Sequence, residues 1–133
     1  MKFLLVEDDY VSAMVLVNVM SPYGECRMAA NGREAVTAFK EALNMGKPFD
    51  AAIMDIMMPV MDGQEALREI RKIEAERGIG GLNMLKVIML TCVEDYDSVM
   101  ASFKDGQAEA FLNKPLEVDE LKAHLEKLGI LKS

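Results

Sequence analysis

The sequence predicts an α/β domain, an open sheet of five parallel strands with helices on both faces. Five short β-rich runs alternate with five longer segments of helical period, the pattern of parallel strands joined by crossover helices. The first run, Phe3-Leu4-Leu5-Val6, is apolar without alternation, as suits a strand covered on both faces. Right-handed crossovers then distribute the helices over both sides of the sheet. With 133 residues the chain has the size of one domain, read as residues 1–133 with no attached output module.

Each element has a local reason. Tyr10 to Met20 reads as a helix ended by Pro22 and Gly24, and Cys26 to Ala29 as a short second strand. Asn31 is placed to cap a helix whose apolar positions are Ala35, Val36, Phe39, Ala42 and Leu43, closed by Gly46-Lys47-Pro48. Ala51 to Met54 forms the third strand. Pro59 and Asp62-Gly63 mark a turn, and Ala66, Leu67, Ile70 and Ile73 continue at helical period. Gly78-Ile79-Gly80-Gly81 reads as a surface loop. Lys86 to Leu90 is the fourth strand, and Tyr96, Val99, Met100 and Phe103 form an amphipathic stripe. Ala110 to Leu112 is the fifth strand, and Val118, Leu121, Leu125 and Leu128 define the last helix.

Composition removes several functions. Hydrophobic residues are 51% and charged residues 28%, a globular balance with enough apolar surface for a core. Asp plus Glu is 22 against 15 for Lys plus Arg, a net charge of −7 that argues against direct nucleic-acid binding and against anionic membranes. No apolar run has transmembrane length, and Met1 to Val6 meets Glu7-Asp8-Asp9 too soon for a secretory signal, so a cytoplasmic location is expected. The two cysteines, Cys26 and Cys92, are expected to be free thiols there. His124 is the sole histidine, which removes His-based zinc sites and Ser-His-Asp triads together.

What remains is carboxylate, hydroxyl and lysine chemistry, and its position is informative. Ligands of an open α/β sheet bind beyond the C-terminal strand ends. The first strand is followed by Glu7, Asp8 and Asp9, and the third by Asp55. The fourth is followed by Thr91 and Cys92, the fifth by Asn113, Lys114 and Pro115. Glu7, Asp8 and Asp55 carry −3, Lys114 returns +1, and a divalent cation would bring the sum to zero. Oxygen ligands suit Mg²⁺, which usually serves phosphate chemistry. Asp9 by itself reads as a helix cap.

The segments Val6-Glu7-Asp8-Asp9, Asp55-Ile56-Met57-Met58-Pro59-Val60-Met61-Asp62-Gly63, Leu90-Thr91 and Phe111-Leu112-Asn113-Lys114-Pro115 resemble the receiver domain of two-component response regulators. The resemblance covers nearly the whole chain. It implies a flavodoxin-like, doubly wound sheet of strand order 2-1-3-4-5. Asp55 would accept a phosphoryl group from a histidine kinase or a histidine phosphotransfer protein. Asp8, Asp55 and the backbone carbonyl of Met57 would bind Mg²⁺, with Glu7 acting through water. Lys114 would pair with the phosphoryl oxygens, Thr91 would move to bond them, and Phe111 would be the aromatic switch. The Lys114-Pro115 peptide would be cis.

Output would pass to a downstream protein partner through the face made by the fourth predicted helix, the fifth strand and the last helix. Chemotaxis-type and phosphorelay roles stay open, as does dimerisation of an expected monomer on phosphorylation. Neither Met57 nor Val93 can orient a hydrolytic water, so a long-lived phosphoaspartate is expected. The Tyr10–Met20 helix is apolar almost all round, and Ala13, Met14 and Val17 are read as a docking face for the phosphodonor. Two alternatives compete. A phosphatase with an aspartyl-phosphate intermediate would place a second acid two residues after Asp55, where Met57 stands. A non-cycling pseudo-receiver would lack part of the acid pair, Asp55 or Lys114, all of which are present.

Overall fold

Five strands form one parallel sheet in the order β2-β1-β3-β4-β5. They are β1 (Lys2–Val6), β2 (Glu25–Ala29), β3 (Ala51–Asp55), β4 (Lys86–Thr91) and β5 (Ala110–Asn113). The structure is a computed structural model and describes residues 1–91 and 108–131. Cys92, Val93 and the helix predicted around Tyr96–Phe103 lie outside the described residues. Among those described, the α-helices are α1 (Tyr10–Met20), α2 (Gly32–Asn44), α3 (Gly63–Glu76) and a C-terminal helix, Val118–Lys127, with short 3₁₀ turns at Ser21–Tyr23 and Gly81–Asn83. None of them is long and apolar enough to cross a membrane.

The central strands β1, β3 and β4 are largely apolar on both sides because both sides are covered, whereas β2 at the sheet edge is mostly exposed. Leu4, Val6, Ala52, Met54, Val87 and Met89 pack against α2 and α3 through Ala35, Phe39, Leu67 and Ile70. Their neighbours Phe3, Leu5, Ile53, Ile88 and Leu90 pack on the other face against Leu16, Met20, Leu121 and Leu125. Full burial of one such side chain contributes about 1.5–3 kcal/mol. The sheet is therefore the common wall of two cores, and its C-terminal edge is left to polar residues.

Caps fix where helices leave that edge. Asp9 caps α1 by accepting the Ser12 N–H at 3.1 Å and the Ser12 hydroxyl at 2.7 Å. Asn31 caps α2 through the Glu34 N–H at 2.9 Å, and Glu34 reaches back to the Ala30 N–H at 3.2 Å. Asp62 caps α3 through the Glu65 N–H at 2.9 Å. Gly46, with φ +72°, takes the left-handed conformation that ends α2.

A buried polar network ties α3 to the starts of β4 and β5. Glu74 is 1% exposed and accepts the Leu85 N–H at 2.7 Å and Arg71 Nη1 at 2.9 Å. Arg71 also donates to the Leu85 carbonyl at 2.8 Å and to the Glu109 carboxylate at 3.1 and 3.2 Å. Glu109 in turn accepts the Val87 N–H at 2.5 Å. Burial raises the Glu109 carboxyl above its ordinary value, against the pull of the Val87 bond and the Arg71 charge.

One sequence reading is corrected. Ala13 is not on an exposed face of α1; it is buried with Leu16 and Met20, at the i, i+3, i+7 spacing that meets the sheet. Met14 and Val17 are half-buried at the margins. The exposed apolar surface of α1 is carried by Tyr10, Val11 and Val15.

Gly63 shows how tightly this edge is built. A Cβ there would strike the Asp55 carbonyl oxygen and lie 3.0 Å from Ile56 Cα and Met89 Cε. Gly63→Ala should therefore displace the Asp55 backbone and destabilise the domain by about 1–3 kcal/mol. Equilibrium unfolding in denaturant checks this, and an unchanged midpoint would contradict it.

Candidate functional site

The polar strand ends converge. Glu7 extends β1 by one bond, donating its N–H to the Ala29 carbonyl at 3.0 Å, and its side chain is buried. Asp55 is the last residue of β3, in register with Leu90, and is 3% exposed. Its Oδ1 accepts the Met57 N–H at 3.2 Å. Lys114 extends β5 by donating its N–H to the Thr91 carbonyl at 2.8 Å, and the Lys114–Pro115 peptide is cis. The ammonium of Lys114 lies 2.6 Å from Asp55 Oδ2 and 3.4 Å from Glu7 Oε2.

Glu7, Asp8 and Asp55 each bring a carboxylate oxygen within 4.8 Å of the others. Like charges about 4 Å apart at a protein surface repel by about 4 kcal/mol. Lys114 offsets only one of the three negative charges. Burial, aided by the charge of Asp55, pushes the Glu7 carboxyl up to about 7, even though the Asp9 N–H bonds it. Burial pulls the Lys114 amine down, but its bond and charge pairing with Asp55 prevail and leave it above its ordinary value. Asp9 is held below the usual carboxylate range by Ser12, consistent with a capping role outside the cluster.

Thr91 is buried at the end of β4, in register with Asn113. Phe111, on β5, is half-buried against the core on the α2–α3 side. The Met57 side chain is exposed. An open cleft of about 270 Å³ lies beside Glu7 and Lys114, walled by Ser12, Val15, Leu16, Leu90, Pro115 and Leu116. The sequence reading missed Val60, which follows Pro59 with φ +70° and is 80% exposed.

These residues fit a hard divalent cation. Glu7 Oε2 is buried with no hydrogen-bond partner among the described residues, three acidic oxygens converge, and with all three ionised Lys114 leaves two negative charges uncompensated. Oxygen donors around a partly hydrated ion are the Mg²⁺ pattern.

A family model for the response regulator receiver domain matches residues 3–126. The chain belongs to the response regulator receiver family. It is 32% identical to the chemotaxis protein CheY of Thermotoga maritima over 130 residues, covering 96% of this chain and 97% of that protein. It is 29% identical to histidine kinase 5 of Arabidopsis thaliana over 147 residues, covering 95% of this chain and 15% of the kinase. The chain spans 5–15% of the length of the histidine kinases it matches. A receiver domain of a Pseudomonas aeruginosa sensor histidine kinase, with a magnesium ion coordinated in its active-site cleft, superposes with a TM-score of 0.74. That structure is 28% identical and covers 96% of this chain and 97% of its own. As a receiver domain, the chain is a signalling module of a two-component system.

The raised Glu7 carboxyl has a stability consequence. Its folded value, about 7, lies above the ordinary 4.5, so the folded state holds the proton more tightly. Its contribution is full at low pH and is lost as pH rises from the ordinary value through about 7. In chelator the protein should therefore melt at a higher temperature near pH 5 than a Glu7-independent protein would, relative to pH 8. Glu7→Gln should flatten this dependence. Parallel melting curves for the two proteins across that range would contradict the assignment.

Proposed function

We propose that Asp55 is the phosphoacceptor of this receiver and that a phosphohistidine on a protein partner is its donor. The observation that carries this reading is the position of Asp55. It ends the central strand, buried, with an ammonium at 2.6 Å and two further carboxylates beside it. An Asp55 oxygen attacks phosphorus, the P–N bond to the donor imidazole breaks, and the ring takes a proton as it leaves as neutral histidine. Little covalent work falls to the protein, which aligns the groups and neutralises equatorial charge. The carboxylates of Asp8 and Asp55 and the carbonyl of Met57 would hold Mg²⁺, with Glu7 contacting it through water. When bound, the ion neutralises phosphoryl and carboxylate charge.

Lys114 takes the new oxygens from one side. The acyl phosphate adds about one negative charge and several acceptors. These draw the Thr91 hydroxyl, and the shift of Thr91 lets Phe111 repack. This is a local electrostatic event acting on a two-state face. A differential of about 5.5 kcal/mol would move such a pair of states from 1:99 to 99:1. The readout is altered binding of a downstream protein by the face that includes β5 and the C-terminal helix.

The donor class is supported by the sensor kinases that carry a homologous stretch. It is further supported by the apolar Tyr10, Val11 and Val15 exposed on α1, of which Val15 lines the cleft at Lys114, a surface suited to a helical partner. A cytoplasmic site of action follows from such a donor.

Incubation with phosphoramidate and Mg²⁺ should add the mass of one phosphoryl group to the intact protein, and Asp55→Asn should gain none. The adduct should persist for minutes or longer after the donor is removed, because Met57 offers no group to orient water. An unmodified wild type, or an equal gain in Asp55→Asn, would contradict the assignment. Decay within seconds would contradict the stated lifetime.

A further inference from the structure

Val60 combines two unfavourable features. Its φ of +70° lies in the left-handed region, which a β-branched residue adopts only under strain. Its side chain is 80% exposed, so packing within the domain does not repay that strain. The Met61 N–H closes a three-residue turn around it onto the Pro59 carbonyl at 2.8 Å, a tight and strained geometry. The turn is held from outside. Met61 is buried, its carbonyl accepts the Gly32 N–H at 2.8 Å, and the Gly63 N–H bonds the Ile56 carbonyl at 2.8 Å. Glycine or asparagine would fit the same backbone with less strain. The isopropyl group is therefore a cost to the isolated fold.

We propose that Val60 is a recognition residue for the phosphodonor protein, a second contact distinct from the exposed face of α1. The inference rests on the reading of Asp55 as phosphoacceptor. Asp55 is 3% exposed, so a donor histidine reaches it only if the donor covers the surrounding rim. Val60 is three residues from Gly63, whose N–H is bonded beside Asp55 at Ile56. Its Cα is thus within about 11 Å of that bond even with the chain fully extended. A standard interface buries about 800 Å² per partner, a patch of roughly 16 Å radius, so a donor centred on Asp55 has Val60 in its footprint. Met57, exposed on the same loop, extends this apolar rim. The occupant is an apolar helical surface bearing the phosphohistidine. Strained backbone clusters at functional sites, where the surrounding structure holds it.

The test uses Val60→Asn, Val60→Ile and Val15→Glu in the full chain. The protein donor is whichever kinase or histidine phosphotransfer domain of the source genome charges the wild type fastest, and phosphoramidate is the small donor. Val60→Asn should raise the melting temperature by about 2–5 °C as strain is relieved. It should slow transfer from the protein donor about 5- to 20-fold and leave phosphoramidate labelling within about twofold. Val60→Ile, which keeps the apolar branch, should match wild type with both donors. Val15→Glu should slow only the protein donor.

A Val60→Asn protein that takes phosphoryl from the protein donor at the wild-type rate overturns the proposal, even if Val15→Glu is impaired. So does an equal loss with both donors, an unchanged melting temperature, or the loss of self-association in place of slowed transfer. Failure of wild type to be labelled at Asp55 by phosphoramidate would instead defeat the phosphoacceptor reading beneath it.

Discussion

The contact on which the site depends is the 2.6 Å pairing of Lys114 with Asp55. Three acidic groups meet at the edge of one sheet, and among the described residues one ammonium, that of Lys114, faces them. Burial, with the charge of Asp55 as a lesser contribution, raises the Glu7 carboxyl to about 7. Removing one partner of such a pair leaves an uncompensated buried charge, a larger penalty than the pair's own net worth. The architecture makes the pairing possible. Parallel strands in register bring the ends of β1, β3 and β5 to one edge, so residues 7, 55 and 114 meet although they are far apart in the chain.

The same electrostatic deficit links stability to signalling. A site with surplus negative charge has room for a divalent ion, and an ion with the lysine makes a further phosphoryl charge tolerable. In the proposed phosphoacceptor role of Asp55, what costs the resting domain stability is also what prepares it to accept a group. The caps at Asp9 and Asp62 then serve a second purpose. They fix the helix starts that bracket Asp55, and the close approach of Gly63 to the Asp55 backbone leaves little slack in that setting.

Much of this was legible in the sequence because strand ends are marked by the switch from apolar to polar residues. Val6 to Glu7, Met54 to Asp55, Leu90 to Thr91 and Leu112 to Asn113, one residue before Lys114, all lie at such switches. The fold class followed from five β-rich runs alternating with helical segments, and the strand order from the motif resemblance. Other features were not legible, for identifiable reasons. Periodicity marks a polar position as outward, so it hid Glu74, which is buried because Leu85 N–H and Arg71 satisfy it. An all-apolar helix does not declare which stripe meets the sheet, so Ala13 was assigned to the wrong face. The strain at Val60 depends on how the loop is pinned by Gly32 and Ile56, which no local pattern encodes.

Fluorine NMR of beryllofluoride, a tetrahedral phosphoryl mimic, tests the central claim most directly. With Mg²⁺ present, the wild-type protein should show a bound resonance that disappears on chelation and is absent from Asp55→Asn. If no bound resonance forms with ion and mimic in excess, or if it survives in Asp55→Asn, the acidic edge is not a compensated phosphoacceptor and the account fails.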